Sequence, residues 1–304
     1  RAYFQAAFQL SGWRIKRITE DVLDEHYGYL TKGIWNPKKQ YHDQHAGKSR
    51  WQGFINMNAL DIIQQLDVIP FRINQAGSYE AQLIIDVGRD KRHFALSLLI
   101  ARASDKSPDF HIISHVFPKT DKQREGINPV ALKEAMVELF CERPRRFDPI
   151  NSLLVMRDGQ IVDEEPEGFD EGVAELTKMG LISPDVRIDW VEVHKDTLKH
   201  IRIWNITDEG KIENPLIGTA ISLNTNMIVM ASTGSPTLHQ GTAEPVLIVG
   251  DERCTDIHGA ARAHFEGTQL NWSSPNVPQK LHIGLKRTDE DLKARDAQEI
   301  RRYR

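Results

Sequence analysis

The sequence contains little cysteine. Cys141 and Cys254 are the only two among 304 residues. Two cysteines are too few for a disulfide framework or for a metal site built from cysteine ligands. This scarcity suits a reducing compartment, and we predict a cytoplasmic protein.

Long apolar runs, a secretory signal and an excess of basic charge are also missing. No apolar run approaches the roughly 20 residues that a membrane-spanning helix needs, and nothing at the start resembles a signal peptide. The net charge of −4 argues against a protein that binds nucleic acid by charge alone. Because the chain begins at Arg1 without a methionine, we expect a fragment, a processed form or a trimmed sequence.

What the sequence does contain is a strong strand pattern around one carboxylate. The apolar run Leu83–Ile85 predicts a buried strand that ends at Asp86, just before Gly88. After a polar turn, the apolar segment His93–Ala103 is expected to return antiparallel. A carboxylate at such a position is costly unless it is paired or binds a cation. For this fragment alone, the alternative is a plain hairpin in which Asp86 caps the turn.

The order of the next elements predicts the fold. Phe110–Phe117 alternates as a third antiparallel strand, and Asn128 with Pro129 marks the start of a helix over Val130–Phe140. Asn151–Met156 is a second buried-strand pattern. Three antiparallel strands, a helix and a further strand–helix–strand unit predict an α/β fold of the RNase H-like type, with a mixed central sheet flanked by helices.

The remaining patterns predict further helices and strands. Helices are expected at Thr19–Tyr29, Asn56–Leu66, Gly168–Met179, Asp256–Gln269 and Lys286–Arg304, and strands at Val186–His194, Ile201–Thr207, Ile217–Thr233 (two strands) and Val246–Val249. The stretch Thr31–Gly53 shows neither period, so we predict that it is largely loop.

Two carboxylates occupy equivalent places in this pattern. Asp86 and Asp158 each follow an apolar strand and precede a glycine by one or two residues. If those strands are neighbours, both carboxylates emerge at the same edge of the sheet. Two hard cations bound there, about 3.5–4 Å apart, can clamp the attacking and leaving oxygens of a phosphodiester. Glu125, in a charged loop, is the candidate third carboxylate; the alternative is an ordinary solvent-exposed loop residue.

Several motifs together resemble the PIWI domain of Argonaute proteins. They are Arg157-Asp158-Gly159 after an apolar strand, Val191-Glu192-Val193-His194-Lys195, Asn214-Pro215-Leu216-Ile217-Gly218-Thr219, Gly241-Thr242-Ala243-Glu244-Pro245, and Leu270-Asn271-Trp272-Ser273 before Val277-Pro278. Each motif is weak alone, but their order and spacing are fairly specific. The resemblance covers most of the chain. It implies the end of a MID-like region with a linker at residues 1–76 and a PIWI domain at residues 77–304.

The resemblance implies guide-directed binding of nucleic acid. In active members it implies an endonuclease that cleaves the paired target strand with Mg2+ or Mn2+. Carried over to this chain, Asp86, Glu125 and Asp158 are the expected catalytic residues, with Asp86 and Asp158 as metal ligands. A prokaryotic short or PIWI-RE-like member, working in host defence, is the expected type.

The fourth ligand position of that pattern falls on Leu285, which cannot bind a metal. His282 lies nearby and is the candidate metal ligand in a shifted register, and Asp289 follows. The leucine favours a second hypothesis, a catalytically inactive guide-binding module that recruits a partner effector nuclease or helicase. A third hypothesis is an RNase H-like structural domain without a nucleic-acid function.

Nine residues are candidates for contacts with nucleic acid: Lys38, Lys39, Gln40, Gln44, Lys48, Arg89, Lys195, Lys199 and Arg202. The first five could grip the 5′ phosphate of a guide. Members of the family commonly present lysines for that purpose on the helix predicted at Asn56–Leu66, where this chain has Asp61 and Gln65. For Lys195, Lys199 and Arg202 the alternative is an exposed strand edge charged against aggregation.

Overall fold

The structure is a computed structural model that describes residues 18–65, 77–89, 91–102, 109–119, 125–143, 148–162, 164–196, 201–238, 241–272 and 278–302. The chain divides into two compact units, residues 1–72 with 272–275 and residues 73–271 with 276–304. Within the described ranges, no helix is both long and apolar enough to cross a membrane.

The first unit is built from two helices and a short hairpin. Its elements are α1 (Glu20–Lys32), β1 (Ile34–Asn36), β2 (Tyr41–Asp43) and α2 (Gln44–Gln65), and the two strands pair antiparallel. Gly33 ends α1 with a φ of 77°, a left-handed conformation that glycine adopts at little cost. The Asp43 carboxylate accepts a hydrogen bond from the N–H of Ala46 at 2.9 Å and so caps α2.

The prediction of loop over Thr31–Gly53 is wrong, because the hairpin and the first part of α2 lie there. Close packing explains this helix. A Cβ added at Gly47 would lie 2.1 Å from the backbone oxygen of Tyr29, so α2 approaches α1 at a point where only glycine fits. The helix is therefore stabilised by its contact with α1 rather than by a clear apolar period of its own.

The second unit contains one large mixed sheet. Its strands are β3 (Ala81–Val87), β4 (His93–Arg102), β5 (Asp109–Pro118), β6 (Ile150–Asp158), β7 (Ile182–His194), β10 (Thr219–Asn224), β11 (Met227–Ala231) and β12 (Val246–Gly250). Their order across the sheet is β10-β11-β12-β7-β6-β3-β4-β5. β3, β6 and β7 run parallel to one another, and the other neighbours are antiparallel. The predicted β3–β4–β5 meander is confirmed.

Helices cover both faces of this sheet. They are α3 (Pro129–Cys141), α4 (Glu165–Lys178), α5 (Ile257–Thr268) and α6 (Ile283–Arg302). Buried side chains of α3 and α4 pack with Leu83 and Ile85 of β3 on one face. Those of α5 and α6 pack with Ile84 on the other. Neighbouring residues of a strand point to opposite faces, so the apolar run of β3 serves both cores.

One predicted helix start agrees with the structure, and one predicted strand does not. The helix start at Asn128 and Pro129 is confirmed, since the Asn128 side-chain oxygen accepts hydrogen bonds from the N–H groups of Val130 (3.0 Å) and Ala131 (3.4 Å). The strand predicted at Ile201–Thr207 is mostly wrong. Only β8 (Asn205–Ile206) is a strand, and it pairs with β9 (Ile212–Glu213) outside the large sheet.

Candidate functional site

The two aspartates lie at the ends of neighbouring parallel strands and at the same level: Asp158 is the last residue of β6, and Asp86 is the last but one of β3, which ends one residue later than predicted. Ile85 of β3 pairs with Arg157 of β6, so the next residues, Asp86 and Asp158, stand side by side. Asp86 lies two positions after Ile84, and Asp158 lies two positions after Met156. Both apolar residues belong to the core under α5 and α6. Both carboxylates therefore lie on the α5–α6 face of the sheet, at its carboxyl edge.

A pocket of about 390 Å³ opens at this edge. Its lining residues are Asp86, Val87, Gly88, Arg89, Lys91, Glu125, Asp158, Gly159, Val193, His194, Lys195 and Asp196. The structure thus brings five of the predicted site residues to one pocket. A smaller pocket of about 70 Å³ adjoins it, sharing Asp86, Arg89 and Lys195 and adding Asp289.

The surroundings of Asp86 disfavour its ionised form. Its side chain is buried. Burial, and next the negative charge of Asp158, raises the pKa of Asp86 to about 7, while the positive charges of Lys195 and Arg157 act in the opposite direction. Asp86 therefore exchanges its proton near neutral pH, which is unusual for a carboxyl group and common at functional sites.

Lys195 supplies a positive charge to this pair. Its ammonium group donates a hydrogen bond to the Asp158 carboxylate. Burial disfavours the charged form of Lys195, but the charges of Asp158, Asp86 and Asp289 outweigh it, so the pKa of Lys195 is raised. The ammonium group therefore stays charged beside the aspartates at neutral pH.

A second lysine holds the backbone of Lys195. Lys280 Nζ donates to the Lys195 carbonyl oxygen at 2.9 Å and also pairs with Glu244 Oε2 at 3.1 Å. Asp158 pairs with Val193 across β6 and β7, which sets Lys195 two residues further along. The register of the sheet and the Lys280 contact together place the lysine against the aspartates.

Glu125 reaches the rim of the pocket from an exposed loop. Its backbone oxygen accepts a hydrogen bond from Lys119 Nζ at 3.2 Å. Two residues later, the N–H of Ile127 donates to Glu165 Oε1 at 3.2 Å. The loop is thus tied to the protein at Glu125 and at Ile127.

A buried ion pair lies directly behind Asp158. Arg157 Nε and Glu165 Oε2 are 3.1 Å apart, and the two side chains are 1% and 0% exposed. Glu165 also accepts from the backbone N–H groups of Ile127 and Val162. Glu165 therefore connects the end of β6 with the loop that carries Glu125. No pattern in the sequence indicated this partner of Arg157.

The fourth ligand position is filled by the apolar core. Leu285 is 1% exposed and packs in the α5–α6 core with Ile84 and Met156. Asp289 lies four residues later, one turn along α6, and reaches the smaller pocket. This spacing was the one sequence signal that pointed to Asp289.

The structure does not bring His282 together with the two aspartates. Its ring is fully buried, and Nδ1 accepts a hydrogen bond from the N–H of Gly284 at 3.0 Å. A Cβ added at Gly267 would lie 1.7 Å from His282 Cδ2, so the ring packs tightly against α5. Burial, and then the neighbouring His264, lowers the pKa of His282. The ring is therefore part of the core and does not line either pocket.

As they lie, these side chains do not fit a metal centre. No group of three or more His, Cys, Asp or Glu side chains in the described part of the chain is arranged to hold a metal ion. Leu285 supplies no ligand atom, and a lysine ammonium already contacts Asp158. The two aspartates predicted to bind Mg2+ or Mn2+ thus lie side by side, and one of them is paired with a lysine.

The other predicted nucleic-acid contacts fall in two places. In the first unit, exposed side chains follow one another along the β1–β2 turn and the start of α2: Lys38, Lys39, Gln40, Gln44 and Lys48. In the second unit, Arg202 Nε donates to Thr242 Oγ1 at 2.8 Å and its guanidinium lies 3.5 Å from Glu244 Oε1. Lys199 lies outside the described residues, and the side chains of Asp61 and Gln65 are likewise not described.

Comparison with solved structures finds Argonaute proteins. Clostridium butyricum Argonaute, bound to a guide DNA and a 19-mer target DNA, matches with a TM-score of 0.67 and 16% identity over 96% of this chain and 35% of that one. Aquifex aeolicus Argonaute matches with a TM-score of 0.53 and 16% identity over 78% of this chain and 31% of that one. The chain therefore spans about a third of the length of these Argonautes.

No protein-family model matches the chain, and no curated protein does. At 16% identity the structural likeness shows the fold. The predicted fold is confirmed: an eight-stranded mixed sheet flanked by helices, like the RNase H-like PIWI fold of Argonaute structures.

Proposed function

We propose that this chain is a guide-directed nucleic-acid-binding module of Argonaute type that holds a guide–target duplex. The observation that supports this best is the pocket at the carboxyl ends of β3 and β6, in a fold similar to an Argonaute bound to guide and target DNA. Base pairing between the strands reads the sequence, and the protein contacts backbone and shape.

The charges of the pocket agree with a phosphate ligand. Arg89, Lys91 and Lys195 line it. Lys195 compensates Asp158, and the pKa of about 7 leaves Asp86 partly protonated at neutral pH, so the aspartates repel a phosphate less than two free carboxylates would. Affinity that rests on such contacts falls steeply with salt concentration.

Binding without cleavage is the form of this function that the site favours. Leu285 and His282 are both buried in the core, and Lys195 holds Asp158. A chain of this kind acts through a partner, and an effector nuclease or helicase is the kind of partner we propose. Host defence in the cytoplasm is the setting we propose for it.

A metal-dependent endonuclease is the second candidate function. It is favoured by Asp86, Asp158 and Glu125, which line one pocket, with Asp289 in the pocket next to it. This arrangement supplies the carboxylates that Mg2+ or Mn2+ prefers, provided that Lys195 leaves Asp158.

Fluorescence anisotropy with labelled target strands tests the proposal. DNA and RNA guides are combined with matched and mismatched targets at several salt concentrations. We expect tight target binding only with the matching guide. Arg89→Ala should weaken binding of all sequences alike, because a phosphate contact carries no sequence information. Arg262→Ala removes an exposed arginine of α5 that pairs with Glu266, and it serves as the matched control.

Two outcomes decide between the candidates. Cleavage in Mg2+ or Mn2+ that disappears in Asp158→Ala would establish the endonuclease. Guide-dependent binding without cleavage would establish the binding module. If no combination of guide and target binds above the mismatched control, both are wrong.

A further inference from the structure

Lys195 lies beside the Asp86–Asp158 pair, and three carboxylates act on its charge. Its ammonium group contacts Asp158 directly, and the charges of Asp86 and Asp289 also act on it. It lines both pockets at the carboxyl edge, together with Asp86. Asp86 and Asp158 thus share this lysine, whereas Asp289 pairs with Lys293. Carboxylates in such a place are costly without a counter-ion.

The ammonium group occupies the place where a cation is needed. Hard divalent cations bind carboxylate oxygens, and the two central ones here belong to Asp86 and Asp158. A second positive charge brought to the same oxygens is repelled by the first, and the repulsion is strong where water is scarce. Asp158 is 9% exposed and Lys195 28% exposed, so the contact is only partly open to solvent.

The fold fixes the backbone of Lys195. The pairing of Asp158 with Val193 sets its position just after β7, and Lys280 Nζ donates to its carbonyl oxygen at 2.9 Å. Its remaining exposure nevertheless leaves the side chain a way to move toward solvent. Lys195 therefore resembles a built-in counter-ion that a stronger competitor can displace.

We propose that Lys195 is the internal cation of the Asp86–Asp158 pair and competes directly with divalent metal ions for these carboxylates. The protein in its resting form then binds divalent metal weakly at this edge. The inference concerns the bare protein and requires neither guide nor target.

Titration with Mn2+, followed by electron paramagnetic resonance of the free ion, tests the competition. Lys195→Met, an unbranched and uncharged replacement one heavy atom shorter than lysine, is compared with the wild-type chain. We expect about tenfold tighter Mn2+ binding or more, because a repelling charge has gone. Adding Asp158→Asn to that variant should abolish the gain. Lys178→Met, which removes an exposed lysine paired with Glu175 on α4, is the matched control and should bind Mn2+ as the wild type does.

Two further variants keep the test decisive. Lys195→Arg retains the charge and should bind Mn2+ as weakly as the wild type. Lys195→Gln replaces Lys195→Met if the latter does not fold. A ligand that binds the folded state raises the melting temperature, so at the same Mn2+ concentration Tm should rise more for the uncharged variants than for the wild type.

The proposal is overturned if the uncharged variants and the wild type bind Mn2+ within about twofold of each other, a difference well below 1.4 kcal/mol. It is also overturned if the gain survives Asp158→Asn, because the ion would then sit elsewhere. Since no nucleic acid is present, failure of guide binding and failure of this competition are separate results.

Discussion

Two ion pairs at the end of β6 differ in burial, although one begins at Arg157 and the other at the next residue, Asp158. Arg157 and Glu165 are 1% and 0% exposed, whereas Lys195 and Asp158 are 28% and 9% exposed. Arg157 and Asp158 point to opposite faces of the sheet because side chains alternate along a strand. One pair is sealed inside the protein and the other borders a pocket. The difference separates a contact that fixes the structure from one that can be exchanged for a ligand.

Breaking the sealed pair should have the largest effect. Glu165→Gln keeps the shape but leaves the Arg157 guanidinium buried without a counter-charge. We expect the free energy of unfolding to fall by about 3–5 kcal/mol, as for other buried pairs that lose one partner. Urea unfolding measures it.

Glu171→Gln on the same helix is the control. Glu171 pairs with Lys133 near the surface, where such pairs contribute about 0–1 kcal/mol. If Glu165→Gln loses no more stability than this control, the sealed pair does not have the structural role that its burial indicates.

At the pocket, the contribution of Asp86 to the free energy of unfolding should depend on pH. The pKa of Asp86 is about 7 in the folded protein, mainly because of burial, and ordinary in the unfolded chain. Between about pH 4 and pH 7 the folded state holds a proton that the unfolded state releases, so the stability of the wild type falls as pH rises. Asp86→Asn removes this loss and should be more stable at pH 8, by on the order of 2–4 kcal/mol.

Below about pH 4 the wild type and Asp86→Asn should unfold alike, because Asp86 is then protonated in both states. Urea unfolding at pH 4, 6 and 8 measures the difference. Asp185→Asn changes an exposed aspartate of β7 and is the control. A stability difference that is the same at all three pH values would contradict the assignment of the titration to Asp86.

Removing the pocket lysine should have the smallest effect of the three. Lys195→Met leaves Asp158 without its partner, but the site is partly open to water, so we expect a loss of about 1–2 kcal/mol, between the values for exposed and buried pairs. The charge of Lys195 lowers the pKa of Asp86, so the variant should also move that pKa further upward. Carbon-13 NMR of the aspartate carboxyl groups measures the shift, and an unchanged Asp86 titration would show that the two groups do not interact.

The sequence predicted the parts of the fold that carry a strong local pattern. The apolar runs of β3 and β6, and the helix start at Asn128 and Pro129, depend on residues close together in the chain. The helix α2 could not be predicted to its full length. Its first turns depend on the close approach to α1 at Gly47, which is a tertiary contact.

The site shows the same division. That Asp86 and Asp158 lie at strand ends was readable to within one residue from the sequence, whereas their side-by-side placement required β3 and β6 to be parallel neighbours in the observed register. The contact between Lys195 and Asp158 required the register of β7 against β6, which no local pattern contains. The sequence therefore indicated Lys195 as a basic residue at a strand end, while its partner came from the sheet.

The order of strands also decides when this pocket comes into existence. β3 pairs with β4, and β4 pairs with β5, immediately after β3 in the chain. The parallel partner of β3, β6, is separated from it by that meander and by α3. Lys195 and then Asp289 follow still later. Contacts between distant parts of a chain form slowly, and the first segments to leave the ribosome fold first. The main pocket is therefore assembled after the meander, and a chain interrupted before α6 lacks Asp289 and so the wall of the smaller pocket.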